Sequence, residues 1–208
     1  DSKNLFTSNE NKISGYPKFY RKYEKKLARE SRRLSRKVKG SNNRNKQRIK
    51  VAKVHEKIVN LRKDFHQKLS TDIVRNYDII GIETLNMQAM SQCLNLAKST
   101  LDNSWGSFVN MLEYKCDWYG KHLVFADKYY ASSKMCNVCG YKNVELTLSD
   151  REWDCPICGT HHLRDQNAGI NLRNLAISTV GTTGIHASGE CLAQATSMKE
   201  ESSAFRQR

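Results

Sequence analysis

The chain has 208 residues and a formal net charge of +14, from 35 Lys and Arg against 21 Asp and Glu. That length allows one domain or one domain with a small insert, and that charge selects a polyanionic partner, nucleic acid first. No run of 18 apolar residues is present, which excludes a membrane-spanning helix, and the polar stretch Asp1–Lys12 is not a signal peptide, so a reduced, cytoplasmic protein is expected.

In chain order, Asn4–Ser8 and Lys12–Ser14 predict two short strands joined at Asn9-Glu10-Asn11. Pro17 starts a helix, its fixed φ suiting the first turn, and that helix runs to about Val38 and ends at Gly40. The link Ser41-Asn42-Asn43 offers caps for a second, longer helix. There Val51, Val54, Ile58, Leu61, Phe65, Leu69 and Ile73 recur at steps of three and four as one apolar stripe. The two helices predict an antiparallel hairpin over residues 17–76, stripe buried and basic faces outward. From Lys18 to Lys68 there are 20 Lys and Arg against four acids, +16, so the rest of the chain carries −2. A short charge run is usually a solvated face; one this long and lopsided reads as an electrostatic footprint. Arg29, Arg32, Arg33, Arg36, Lys37, Arg44, Arg48 and Lys50 are its candidate phosphate contacts.

Tyr77–Glu83 is too short for a helix and reads as a buried strand ending on an acid. Asn86–Leu96 is a predicted loop. A helix from near Leu101, capped by Asp102 or Asn103, carries Trp105, Phe108, Met111, Leu112, Lys115 and Trp118 and stops near Gly120. Cys116 reads as core packing. Trp105 and Trp118 are either core anchors or base-stacking platforms, with core favoured by the apolar residues beside them. His122–Ala126 is a second buried strand. Asp165 opens a last helix through Leu175, and the Gly-, Thr- and Ser-rich chain after Ser178 predicts a disordered tail. No internal repeat is visible.

Between the second strand and the last helix lie Cys136 and Cys139 in C-N-V-C-G and Cys155 and Cys158 in C-P-I-C-G, with 15 residues between the pairs. Each pair turns tightly, relieved by Gly140 and Gly159, and two such turns fit closed tetrahedral sulfur coordination of structural zinc. Two disulfides or four free thiols are the plainer alternatives, and a redox role for the pairs lacks a thioredoxin-like context. Cys93, Cys116 and Cys191 remain as ordinary thiols. His161 and His162 follow closely; with four sulfurs present they are expected at the surface. The role of Tyr129 and Tyr130 is open.

Glu83 at a strand end and Asp165 at a helix start are placed as phosphodiester hydrolysis requires. Magnesium takes hard oxygen ligands from separate elements, and paired divalent ions activate water and stabilise the leaving oxygen. Asp165 is equally suited to the helix N-terminus as a cap.

Gly81–Asn86 (GIETLN), Ser104–Phe108 (SWGSF), Leu112–Lys115 (LEYK), Trp118–Gly120 (WYG), Ser132–Gly140 (SSKMCNVCG), Trp153–Gly159 (WDCPICG) and Arg164–Leu172 (RDQNAGINL), in that order, resemble the C-terminal half of transposon-encoded TnpB (OrfB) proteins, relatives of the type V CRISPR effector nucleases. The resemblance covers about residues 16–174. It implies an α/β fold: an incomplete RNase H-like (RuvC) domain over 1–130 with the basic hairpin, an inserted zinc ribbon over 131–162, a final helix over 163–177, and the tail 178–208. It implies an RNA-guided DNA endonuclease of a mobile element, with DNA and guide RNA as partners, zinc as structural metal and magnesium as catalytic metal. By this resemblance Glu83 matches the second RuvC carboxylate and Asp165 the third.

Two departures matter. The family's first carboxylate lies in a G-[hydrophobic]-D-x-G strand, which nothing here matches; Asp1 resembles a neighbour of that acid. The family's N-terminal guide- and target-binding module is also absent. The expectation is a truncated product that binds nucleic acid and zinc with little or no cleavage by itself, so an inactive binding module is the alternative. Leu163 and Ala131, where the family often has Asp and Pro, remove no expected ligand.

Overall fold

The computed structural model describes residues 4–8, 13–86, 102–147 and 149–186, with backbone alone for 4–7, 13, 14 and 182–186. Strands β1 (Asn4–Thr7) and β2 (Ile13–Gly15) pair antiparallel. Helix α1 (Phe19–Ser35) and helix α2 (Asn42–Asn76) follow. Then come β3 (Ile79–Glu83), α3 (Trp105–Tyr119) and β4 (His122–Ala126). The short strands β5 (Glu152–Asp154) and β6 (His161–Leu163) pair antiparallel, and α4 (Arg164–His186) ends the described chain. The predicted loop over Asn86–Leu96 lies almost wholly outside the described residues, as do Cys93 and Cys191.

Helix α1 starts two residues later than Pro17 suggests. Lys18 sits in the left-handed region at φ 48°, so the helical path begins only at Phe19. The cap comes from far along the chain: the Asp102 carboxylate accepts the Tyr20 N–H at 3.0 Å. Asp102 therefore does not cap α3, the helix it precedes. It is buried, pairs with Arg62 at 3.5 Å, and its backbone carbonyl accepts the Tyr16 hydroxyl at 2.6 Å. The expected end near Val38 is corrected to Ser35, and Gly40 turns the chain at φ 84°. Ser41 caps α2 as expected, accepting the Arg44 N–H at 3.2 Å.

The hairpin is antiparallel. Gln47 donates to Glu30 at 2.8 Å near the turn, and Lys57 lies over the Tyr23 ring farther along. Leu27, Val54 and Ile58 form its seam. In the second half of α2 the buried line is His66, Ser70 and Val74, one residue beyond the expected Phe65, Leu69 and Ile73, which are half-buried beside it. The cause is a change of neighbour, because this half packs on α3 as well as on the start of α1. Lys115 of α3 donates to the Gln67 carbonyl and to the Ser70 and Thr71 hydroxyls at 2.7–2.8 Å. Tyr16, Val74, Phe108, Leu112 and Cys116 form the main core, with Phe65, Trp105 and Ile80 against it.

β3 and β4 are parallel, in register from Ile79↔His122 to Glu83↔Ala126. A parallel pair needs a crossover, and α3 lies within it. Helix α4 covers the pair. A Cβ at Gly81 would lie 2.8 Å from the Leu172 carbonyl oxygen and 3.0 Å from Ala176 Cβ, so only glycine admits this approach. The expected end of α4 near Leu175 and disorder from Ser178 are corrected: the helix continues to His186. The rest of the expected tail, 187–208, lies outside the described residues.

Candidate metal sites and nucleic-acid face

Each cysteine pair closes its own turn. The Cys136 N–H donates to the Tyr141 carbonyl and the Gly140 N–H to the Cys136 carbonyl; Cys155, Thr160 and Gly159 repeat the pattern. Gly140 and Gly159 take φ 76° and 68°, as their place after the turn requires. The four sulfurs all lie within 4.8 Å of one another. Cys136 to Cys158 is 3.6 Å and Cys139 to Cys155 is 3.5 Å. Four thiolates about 2.3 Å from one ion stand roughly 3.8 Å apart, so the set fits a tetrahedral metal, and these distances exclude disulfides. The thiols do not ionise alike. The Thr160 hydroxyl, 3.2 Å from Cys158 Sγ, and its N–H bring that thiol down to about 6. The Tyr141 N–H favours a Cys139 thiolate, yet desolvation and the three neighbouring sulfurs push it up to about 12. A cation at the centre removes that conflict.

The expectation of surface histidines holds for His161, which is exposed and sits 2.7 Å from Asp154. It fails for His162, which is 4% exposed, stacks 4.7 Å from the Trp153 ring and brings Nε2 to 3.1 Å from Cys136 Sγ. Strand alternation explains the split, since neighbours on β6 face opposite sides. His162 stands outside the four-sulfur group, against one ligand of it. The ribbon's own core is small: Cys136, Leu146, Trp153 and Cys155.

Glu83 ends β3, and its Oε1 accepts the Ser132 hydroxyl at 2.5 Å. Asp165 lies in the first turn of α4, seven residues before Leu172, the residue that meets Gly81. Seven residues are two helical turns, so Asp165 shares the sheet-facing stripe with Leu172. Ser132 touches Glu83 and also accepts from Asn171, so α4 is linked to the carboxyl end of β3 through that residue. Asp165 lies on the same helix, two turns before its contact with β3. Asp165 is 44% exposed and carries ion contacts to Arg164 at 3.5 Å and Arg151 at 3.8 Å.

On the hairpin, Arg29, Arg32, Arg33, Arg36, Lys37, Arg48 and Lys50 are exposed. Arg44 is partly committed to the fold, donating to the Leu34 and Lys37 carbonyls at 3.1 and 3.3 Å across the turn. Arg29 and Arg33 lie 3.4 and 3.2 Å from Glu30. The Gln47 amide, followed by these arginines, holds the Glu30 carboxyl below its usual range. Trp105 is half-buried at 5.6 Å from Phe108, a core anchor, whereas Trp118 is 76% exposed with Tyr114 at 4.7 Å, which corrects the core assignment. Tyr129 is exposed and Tyr130 half-buried, its hydroxyl reaching the Asn171 carbonyl. Among the described residues no helix is long and apolar enough to cross a membrane.

Two family models match in sequence: the one described as "Probable transposase" over residues 3–94 and the "Cas12f1-like, TNB domain" over residues 105–172. The chain is 44% identical over 167 residues to a "Putative RNA-guided DNA endonuclease" of Streptomyces pristinaespiralis, covering 79% of this chain and 41% of that protein. It is 33% identical over 168 residues to the similarly named InsQ of Escherichia coli (strain K12), covering 74% and 42%. The chain belongs to the TnpB (OrfB) family. It spans about two fifths of the length of these TnpB-family relatives. A chain in the "Cryo-EM structure of the Cas12f1-sgRNA-target DNA complex" shares the fold, with TM-score 0.51 and 18% identity over 78% of this chain and 43% of that one.

Sequence reasoning missed the polar residues that join ribbon to body. Asn167 and Asn171 are buried on one side of α4. Asn167 accepts the Asn137 N–H at 3.1 Å and donates to the Met135 carbonyl at 2.7 Å; Asn171 donates to the Ser132 and Met135 carbonyls. Their spacing of four along the TnpB-like RDQNAGINL motif was the available signal.

Proposed function

We propose that this chain is the RNase H-like (RuvC) nuclease portion of an RNA-guided DNA endonuclease, carrying zinc in its four-cysteine ribbon and magnesium at Glu83 and Asp165. What supports the reading is that Glu83 ends β3 and Asp165 stands in the first turn of α4, the helix packed on that strand where Gly81 meets Leu172. Magnesium, when bound, supplies an activated water and neutralises charge on the phosphate. The chain's own residues do the rest. Glu83 comes from the end of the strand and Asp165 from the first helical turn, so these two residues would hold the cation from two rigid elements. The exposed Arg32, Arg36, Arg48 and Lys50 track phosphates of DNA or guide RNA and hold the scissile strand in register.

A second reading, a nucleic-acid-binding module without chemistry, draws support from Asp165, whose carboxylate is paired with Arg151 and Arg164. The two separate on one assay: magnesium-dependent cleavage of single-stranded and plasmid DNA by the chain and by Glu83→Gln. The nuclease reading expects weak cleavage at most, since nothing here matches the family's first carboxylate, and expects the substitution to remove it. Equal background from both proteins discards the site and leaves the binding module.

A further inference from the structure

The Glu83 carboxylate does not stand alone at the strand end. Its Oε1 accepts a 2.5 Å hydrogen bond from the Ser132 hydroxyl, across 49 positions of sequence. Ser132 is itself 4% exposed, so water does not compete freely for that hydroxyl. Its backbone is fixed on both sides: the Ser132 N–H donates to the Tyr130 carbonyl at 2.9 Å and its carbonyl accepts from Asn171 at 2.8 Å. The same Asn171 amide donates to the Met135 carbonyl at 2.6 Å, and Asn167 donates to that carbonyl as well. Asn167 also accepts the N–H of Asn137. Met135 and Asn137 flank Cys136, so the two asparagines of α4 clamp the first cysteine turn from both sides.

We propose that Ser132 is a positioning residue for Glu83, and that Asn171 holds it in place by tying the first ribbon turn to α4. This rests on the reading of Glu83 as a cation ligand. A carboxylate at the end of a strand has free rotation about its side-chain bonds, and fixing one oxygen aims the other. Among the described residues no hydrogen bond is made to Glu83 Oε2, which is the oxygen left for a cation. Outer groups of this kind typically change metal affinity by about 10- to 100-fold when removed.

The test uses the zinc-loaded full chain and manganese(II) as the probe, followed by electron paramagnetic resonance. Ser132→Ala is expected to weaken manganese binding about tenfold, with zinc content and melting midpoint unchanged, and Asn171→Ala to weaken it less. Glu83→Gln should remove the site. A second readout is the Glu83 side-chain carboxyl carbon resonance, assigned by its loss in Glu83→Gln, which must move in Ser132→Ala. If Ser132→Ala keeps wild-type affinity and leaves that resonance in place, the positioning role is wrong. If Glu83→Gln binds manganese as wild type does, the cation-site reading fails. The resonance alone then decides: movement in Ser132→Ala retains the positioning role, and no movement overturns it.

Discussion

The ribbon and the helical body are held together by different physics. The body buries a continuous apolar cluster, Tyr16, Val74, Phe108, Leu112 and Cys116, across helices of 15 to 35 residues. Among the described residues the ribbon has two three-residue strands and an apolar core of four residues, two of which are its own cysteines. Strands that short do not persist on their own, so the ribbon's fold would rest on the metal that its four sulfurs are placed to hold, and the body's would not. A fold can therefore carry a candidate metal cluster beside its sheet while leaving most of its stability elsewhere.

That contrast breaks most visibly on metal removal. Chelation, or Cys155→Ser, is expected to unfold the ribbon outright, since structural zinc contributes on the order of 10 kcal/mol to such modules. Trp153 fluorescence and amide exchange over 135–163 should change while the far-ultraviolet helix signal of α1–α3 persists. In the body the largest single effect is expected from Phe108→Ala, which removes a ring 1% exposed between α2 and α3. It should cost about 3–5 kcal/mol in denaturant unfolding and leave zinc content unchanged. Next comes His66, buried in the body beside Tyr16 and Phe108. Burial and then the Arg62 charge lower its pKa to about 4 from 6.5, against the Asn103 backbone. The unfolded chain therefore takes up this proton first as pH falls. Stability should drop between pH 6.5 and about 4, by up to about 3 kcal/mol, and His66→Phe should flatten that dependence.

The two regions also differ in how much their sequences reveal. The ribbon ligands were legible because C-x-x-C spacing alone fixes where sulfurs point, and all four converge. The hairpin was legible as helices but not in phase. The stripe Val51–Ile73 follows one average face, while the real burial shifts to His66, Ser70 and Val74 where α3 arrives. Such a shift depends on a partner 44 to 48 residues away, which periodicity does not contain. Asp102 shows the same limit: beside α3 it reads as a local cap, yet it serves Tyr20 of α1. The acids were legible as element ends; the Ser132–Asn171 link between them and the ribbon was not. Trp118 was misplaced because the sequence shows its apolar helix and not which face of it the described residues leave open.

The direct test of the account is where a divalent ion sits. Crystals of the zinc-loaded chain soaked in manganese(II) should show an anomalous peak about 2.1 Å from carboxylate oxygens of both Glu83 and Asp165, with Arg151 displaced from Asp165. A peak elsewhere, or none at this end of the sheet with Asp165 still paired to Arg151 and Arg164, would contradict it.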